Sequence, residues 1–117
     1  MSNIDRVNSE LKKAISLVID NEVHDPRIKD GLVSIIRVEC DTDLTLAKVY
    51  YSVIGGKFTI KELDNALMQS KGFIKLKMKS LLRLRKLPDL KFIYNDSIQH
   101  AIHIDKILKD INKWEIH

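Results

Sequence analysis

The sequence predicts an α+β fold, with helices gathered on one face of a three-stranded sheet. Three observations carry the prediction. Apolar residues recur at three- and four-residue steps in some stretches and at two-residue steps in others, marking helices and strands in one chain. The helical stretches each carry one apolar stripe, which a single sheet face can cover. Aromatics make up only 6% of the chain and glycines number four, which argues against a barrel or sandwich built on many tight turns. At 117 residues the chain has the length of one domain, able to remove about two thirds of its unfolded surface from water.

The first element runs from about Asn3 to Glu22. Ile4, Val7, Leu11, Ala14, Ile15 and Val18 form one helix stripe. Asn3 caps the start and Asp5 lies in the first turn, where the helix dipole favours an anion. Asp25-Pro26 ends the helical region, because proline pushes its predecessor out of α geometry. Leu32 to Cys40 is β-rich and bounded by Asp30-Gly31 and Asp41-Thr42-Asp43, so it reads as a strand. From Thr45 to Ile54, Ala47, Val49, Tyr51 and Val53 alternate with Lys48, Tyr50 and Ser52, a second strand with one covered side. The acidic turn between them makes a hairpin.

Gly55-Gly56 closes the second strand, and Thr59 with Glu62 forms a capping box for the next helix. Helical pattern continues from Ile60 to about Leu87. Unbroken, those 28 residues would stretch about 42 Å. A compact chain of this size has a radius of gyration of about 13 Å and a width of about 35 Å. A break is therefore expected at Ser70-Lys71-Gly72, with Ser70 and Gly72 as a structural kink and Gly72→Ala destabilising. Leu87-Pro88-Asp89 stops the helical stretch. Leu90, Phe92 and Tyr94 alternate with Lys91 and Ile93 as a third strand. Ser97 then caps a C-terminal helix with Ile98, Ile102, Ile107, Leu108, Ile111 and Trp114 on its apolar side.

Charge is distributed unevenly. The net charge of +4 hides a segment from Ala66 to Phe92 with eight Lys or Arg and one acid, Asp89, while the other 90 residues sum to −3. A basic balance confined to one segment is a footprint for a polyanion. On a helix starting at Phe73, the residues Phe73, Ile74, Met78, Leu81 and Leu84 fall on the buried side. Lys75, Lys79, Arg83 and Lys86 align on one exposed arc of about 80°. Four like charges at this spacing repel, and with no acid beside them phosphates are the natural neutraliser. Lys71 joins this RNA-binding set from the kink. Lys77 and Arg85 point toward the apolar arc, where their stems cover core surface and their heads reach water.

Four blocks taken in order form a recognisable set: Asp25-Pro26-Arg27, Asp43-Leu44-Thr45-Leu46-Ala47, Ser70-Lys71-Gly72-Phe73-Ile74, and Arg85-Lys86-Leu87-Pro88-Asp89-Leu90-Lys91-Phe92. Together they resemble the bacterial ribosome-binding factor A family over roughly Asn3 to Leu108. The resemblance implies a KH-like domain of the second type covering residues 1–117. Its order would be helix, strand, strand, helix, kink, helix, strand and a C-terminal helix, with a less ordered tail after about residue 109. It implies a non-enzymatic factor that binds 16S rRNA and free 30S subunits, assists late 30S maturation and 16S rRNA processing, and serves growth in the cold. Ordinary KH domains clamp the nucleic-acid backbone with a Gly-x-x-Gly loop. Here Ser70-x-Gly72 stands in the place where the family often has Ala-x-Gly, so binding through a Gly-x-x-Gly loop is excluded. The resemblance assigns no role to Trp114.

Other chemistry is poorly supported. His100 and His103 stand three apart on the last expected helix, but no Cys or carboxylate pattern completes a zinc set. Asp41 and Asp43 suit hydrogen bonding within a turn better than Mg²⁺. A metal-dependent hydrolase built on Asp41, Asp43 and His100 is therefore the weakest reading. No phosphate-binding Gly-rich motif or nucleophile signature occurs, so no cofactor, no metal and no small-molecule substrate are expected. Cys40, the lone cysteine, cannot form an internal disulfide and suits a core position in a reducing interior. The N-terminus lacks the apolar stretch of a signal peptide, and no apolar run approaches a membrane span. A cytoplasmic monomer is the expectation. The alternative from a different class is a protein-interaction module that uses the same basic helix to bind an acidic protein.

Overall fold

The computed structural model describes residues 3–84 and 86–95. Within them the elements are α1 (Asn3–Asn21), α2 (Pro26–Lys29), β1 (Leu32–Cys40), β2 (Leu46–Ile54), α3 (Ile60–Leu81) and β3 (Asp89–Tyr94). The sheet order is β1-β2-β3, with β1 antiparallel and β3 parallel to the central β2. This is the α+β, KH-like arrangement expected. Arg85, the helix expected after Ser97, His100, His103, Trp114 and the tail lie outside the described residues.

The hydrophobic pattern of β1 explains its shape. Val33 and Ile35 face the helices, and so do Val38 and Cys40, although these pairs sit in opposite alternation phases. A β-bulge reconciles them. Ile35 pairs with Tyr51 and Arg37 with Tyr50, leaving Ile36 as the extra residue. Without it, everything beyond Ile35 would present its polar side to the core. Ala47, Val49, Tyr51 and Val53 of β2 complete the covered face. Above it lie Leu11, Ala14, Ile15, Val18 and Ile19 of α1 and Leu63, Ala66, Leu67, Ile74 and Met78 of α3.

Tyr51 is the central side chain, fully buried, with Phe92 and Tyr94 of β3 edge-on to its ring at 6.4 and 5.8 Å. Its hydroxyl donates to Asp64 of α3 at 2.9 Å. Burial first, and the Asp64 carboxylate second, push the phenol above its usual range. At the sheet's end β1 and β2 nearly touch. A Cβ on Gly31 would stand 2.7 Å from the Gly55 carbonyl oxygen, and Gly56 needs its positive φ of 85°. The expected capping box is present, with Thr59 accepting from the Glu62 amide at 3.1 Å.

Two sequence expectations change. First, α1 stops at Asn21, before the Asp25-Pro26-Arg27 block, which instead opens the short α2: Asp25 caps it, accepting from the Arg27 amide at 2.9 Å. Second, there is no break at Ser70-Lys71-Gly72. A single helix of 22 residues runs through both Ser70 and Gly72. Helix does not continue to Leu87. It ends at Leu81, with Leu82 already extended at φ −116°, ψ 142°. At about 33 Å the shorter helix fits the width of the domain unbroken. Gly72 has no positive φ, and an added Cβ there would meet only open space.

Candidate nucleic-acid interface

The basic residues leave α3 and the segment after it in two different settings. Lys71 and Lys75 turn toward the start of β3, where Asp89 lies 3.3 Å from Lys71 and 3.4 Å from Lys75. Both side chains are only about one third exposed. Burial pushes the Asp89 carboxyl up, but its backbone hydrogen bond at Leu90 and the two ammonium groups outweigh this and hold it below the usual range. The expectation that no acid compensates the ridge therefore fails for these two. Asp89 is fourteen residues from Lys75, beyond any helical spacing, and parallel pairing of β3 with β2 brings it there.

Lys79, Arg83 and Lys86 are exposed. Only Lys79 is on the helix, in its last turn. Arg83 and Lys86 belong to the non-helical segment that leads to β3, so the four-residue ridge of one helix does not exist. Burial in that segment sorts the residues another way: Leu82, Leu84 and Leu87 pack against the core while Arg83 and Lys86 remain outside. Among the described residues no carboxylate lies within ion-pair distance of Lys79 or Arg83. Lys86 is near enough to the Asp41 turn to help hold that carboxyl low, after the larger effect of its hydrogen bonds from the Thr45 hydroxyl and amide.

The buried arc of α3 is also rotated from expectation. Ile74 and Met78 are fully buried, but Phe73 and Leu81 are 41% and 53% exposed. The stripe instead follows Leu63, Leu67, Ile74 and Met78, which brings Lys71 and Lys75 to its flank. Lys77 lies half-buried, its ammonium 5.5 Å from the Phe73 ring and 3.9 Å from Glu22, just past the end of α1. Helical hydrogen bonding occupies the backbone through Ser70 and Gly72, so this place presents no free amides to a phosphate.

One feature of the interface's surroundings was not legible in the sequence. Arg27 forms a bidentate pair with Asp25 (3.1 and 2.8 Å) and donates to Gln69 of α3 at 2.7 Å, fixing α2 to α3. The acidic turn behaves as expected: Asp41 accepts from the Thr45 and Leu46 amides at 2.7 and 3.3 Å and from the Thr45 hydroxyl. Cys40 is buried, and desolvation raises its thiol pKa.

The sequence matches the family described as ribosome-binding factor A over residues 3–108. The chain belongs to the ribosome-binding factor A family. A family relative from Staphylococcus carnosus (strain TM300) is 40% identical over 109 residues, 93% of each chain. The crystal structure of ribosome-binding factor A from Thermus thermophilus shares the fold with a TM-score of 0.70 at 22% identity, covering 79% of this chain and 94% of that one. A further ribosome-binding factor A structure from the same organism, fitted as a homology model into a cryo-EM map of a 30S complex, matches with a TM-score of 0.63 at 22% identity, over 76% and 91% of the two chains. No helix among the described residues is long and apolar enough to cross a membrane.

Proposed function

We propose that this protein binds free 30S subunits through 16S rRNA and assists late 30S maturation and 16S rRNA processing. It acts as a cytoplasmic monomer of one KH-like domain, without catalysing a reaction, and its need is greatest in the cold. The observation that carries the reading is the exposed trio Lys79, Arg83 and Lys86 on a chain of this family. A Thermus relative fitted into the map of a 30S complex supports it. The mechanism is occupancy. Phosphates neutralise the trio, and the bound factor holds an immature rRNA conformation until it is displaced.

The test is sedimentation of cell extract with detection of the protein across subunit, ribosome and polysome fractions. Enrichment with free small subunits at low salt is expected, and enrichment on polysomes overturns the reading. Purified protein should bind 16S rRNA with a strong salt dependence. Binding confined to an acidic protein, with none to rRNA, would replace it with the interaction-module reading.

A further inference from the structure

Beside the trio lies a groove of about 730 Å³ between α1 and the chain where it leaves α3. Its floor and walls are apolar: Val7, Ala14 and Leu17 from α1, and Leu81 and Leu82 from the end of α3. Leu17 and Leu81 stand 48% and 53% exposed, an unusual condition for two leucines facing one depression. Around this apolar surface, among the described residues, are Arg6, Lys13 and Arg83 against the carboxylate of Glu10. Arg6 meets Glu10 at 3.4 Å, but with Arg6 largely in water and Glu10 about half exposed that pair holds little. Arg83 belongs to both the groove and the exposed trio, so the two surfaces are continuous.

We propose that this groove holds an unpaired nucleotide of a bound RNA, its base packed on Leu17 and Leu81 and its phosphates drawn to Arg6, Lys13 and Arg83. The inference rests on the rRNA-binding reading and adds a second contact of a different kind. An apolar surface gains nothing from duplex RNA, whose base faces are stacked away. An unpaired base can be splayed out and offers an apolar face with charge at a fixed distance behind it. The volume lies within the roughly 300–1,000 Å³ that ligand-sized sites occupy. A protein partner needs about 800 Å² on each side of a stable interface, more than this depression offers. The excess of cations also disfavours the basic segments common among RNA-associated proteins. The groove is separate from the Ser70–Gly72 region, where a Gly-x-x-Gly loop would act.

The test measures binding of the whole protein to a single-stranded RNA 12-mer and to a duplex of equal length, by fluorescence anisotropy over a salt series. Leu17→Ala with Leu81→Ala should weaken single-strand binding about tenfold while duplex affinity and the salt slope stay constant. Lys13→Gln, which leaves the apolar floor intact, should weaken single-strand binding and lower the slope by a little under one. Lys79→Gln with Lys86→Gln should weaken both RNAs. If the double alanine variant binds the single strand as tightly as the parent while the lysine variant does not, the groove proposal fails and the rRNA reading stands. Parent protein that prefers the duplex also overturns it. Failure of the parent to bind either RNA or small subunits removes the rRNA reading, and the groove proposal with it. Circular dichroism confirms that each variant keeps the helical content of the parent.

Discussion

Lys71 and Lys75 occupy the same helix as Lys79, at the same four-residue spacing, yet they meet opposite surroundings. The first two are one third exposed and share Asp89, whereas Lys79 is exposed and is followed by Arg83 and Lys86 beyond the helix end. The difference comes from the end of α3. While the helix lies over the sheet, its flank meets β3 and the carboxylate there. Beyond that flank, no carboxylate among the described residues pairs with Lys79 or Arg83. Regular spacing thus places charges on one side, but the neighbouring strand decides which of them an incoming phosphate can reach.

The largest effect should come from the outer trio. Changing Lys79, Arg83 and Lys86 to Gln should reduce rRNA binding by at least tenfold at moderate salt. The slope of log affinity against log salt should fall by about 2–3, at roughly 0.7–0.9 per phosphate contact. Lys12→Gln is the control for loss of charge as such. If Lys71→Gln with Lys75→Gln costs as much binding as the triple change, the division between inner and outer cations is wrong.

Asp89→Asn sharpens the comparison from the other side. Freeing Lys71 and Lys75 should raise RNA affinity several-fold and steepen the salt slope. Folding stability should fall by no more than about 1 kcal/mol, since these pairs are half open to water. Denaturant midpoints and a salt titration on the same preparation separate the two effects. An unchanged slope would mean that Lys71 and Lys75 stay out of reach even without their acid.

The helix interior offers a smaller test. Gly72 has helical geometry and space around it, so Gly72→Ala should stabilise by about 0.5–1 kcal/mol, measured by urea unfolding. Destabilisation would restore the kink that the sequence suggested. The smallest effect concerns acid. Asp25, held low chiefly by the Arg27 hydrogen bond, and Asp41 and Asp89 all have folded pKa values below their unfolded ones. Their contribution is fully present above about pH 4 and is lost as pH falls through the folded values. Urea midpoints should be flat from pH 7 to 5 and decline below 4, less steeply in Asp89→Asn. A decline that begins near pH 6 would implicate histidine instead.

Element identity was legible wherever a local pattern suffices. The stripe of α1, the alternation of β2, the Thr59–Glu62 capping box and the Asp41 turn all depend on residues within a few positions of one another, and each is where the pattern put it. The end of α3 was not legible, because Leu82, Arg83, Leu84 and Lys86 suit a helix by propensity. They lie outside the helix because the chain must reach β3 with Leu82, Leu84 and Leu87 on the core. The β1 bulge was hidden for a related reason: Val33, Ile35, Ile36 and Val38 read as a continuous apolar run until β2 supplies a register.

By itself, then, the sequence determined the class of the fold, the order of its strands and main helices, and a basic segment suited to a polyanion. These follow from periodicity, capping chemistry and charge counts, all properties of neighbouring residues. Only the tertiary structure decided where the long helix stops, that Asp89 takes two of its cations, and that Arg6, Lys13 and Arg83 surround one apolar groove. Each of these joins residues from separate elements. Parallel pairing of β3 with β2 delivers Asp89 to the flank of α3, and the meeting of α1 with the end of α3 builds the groove.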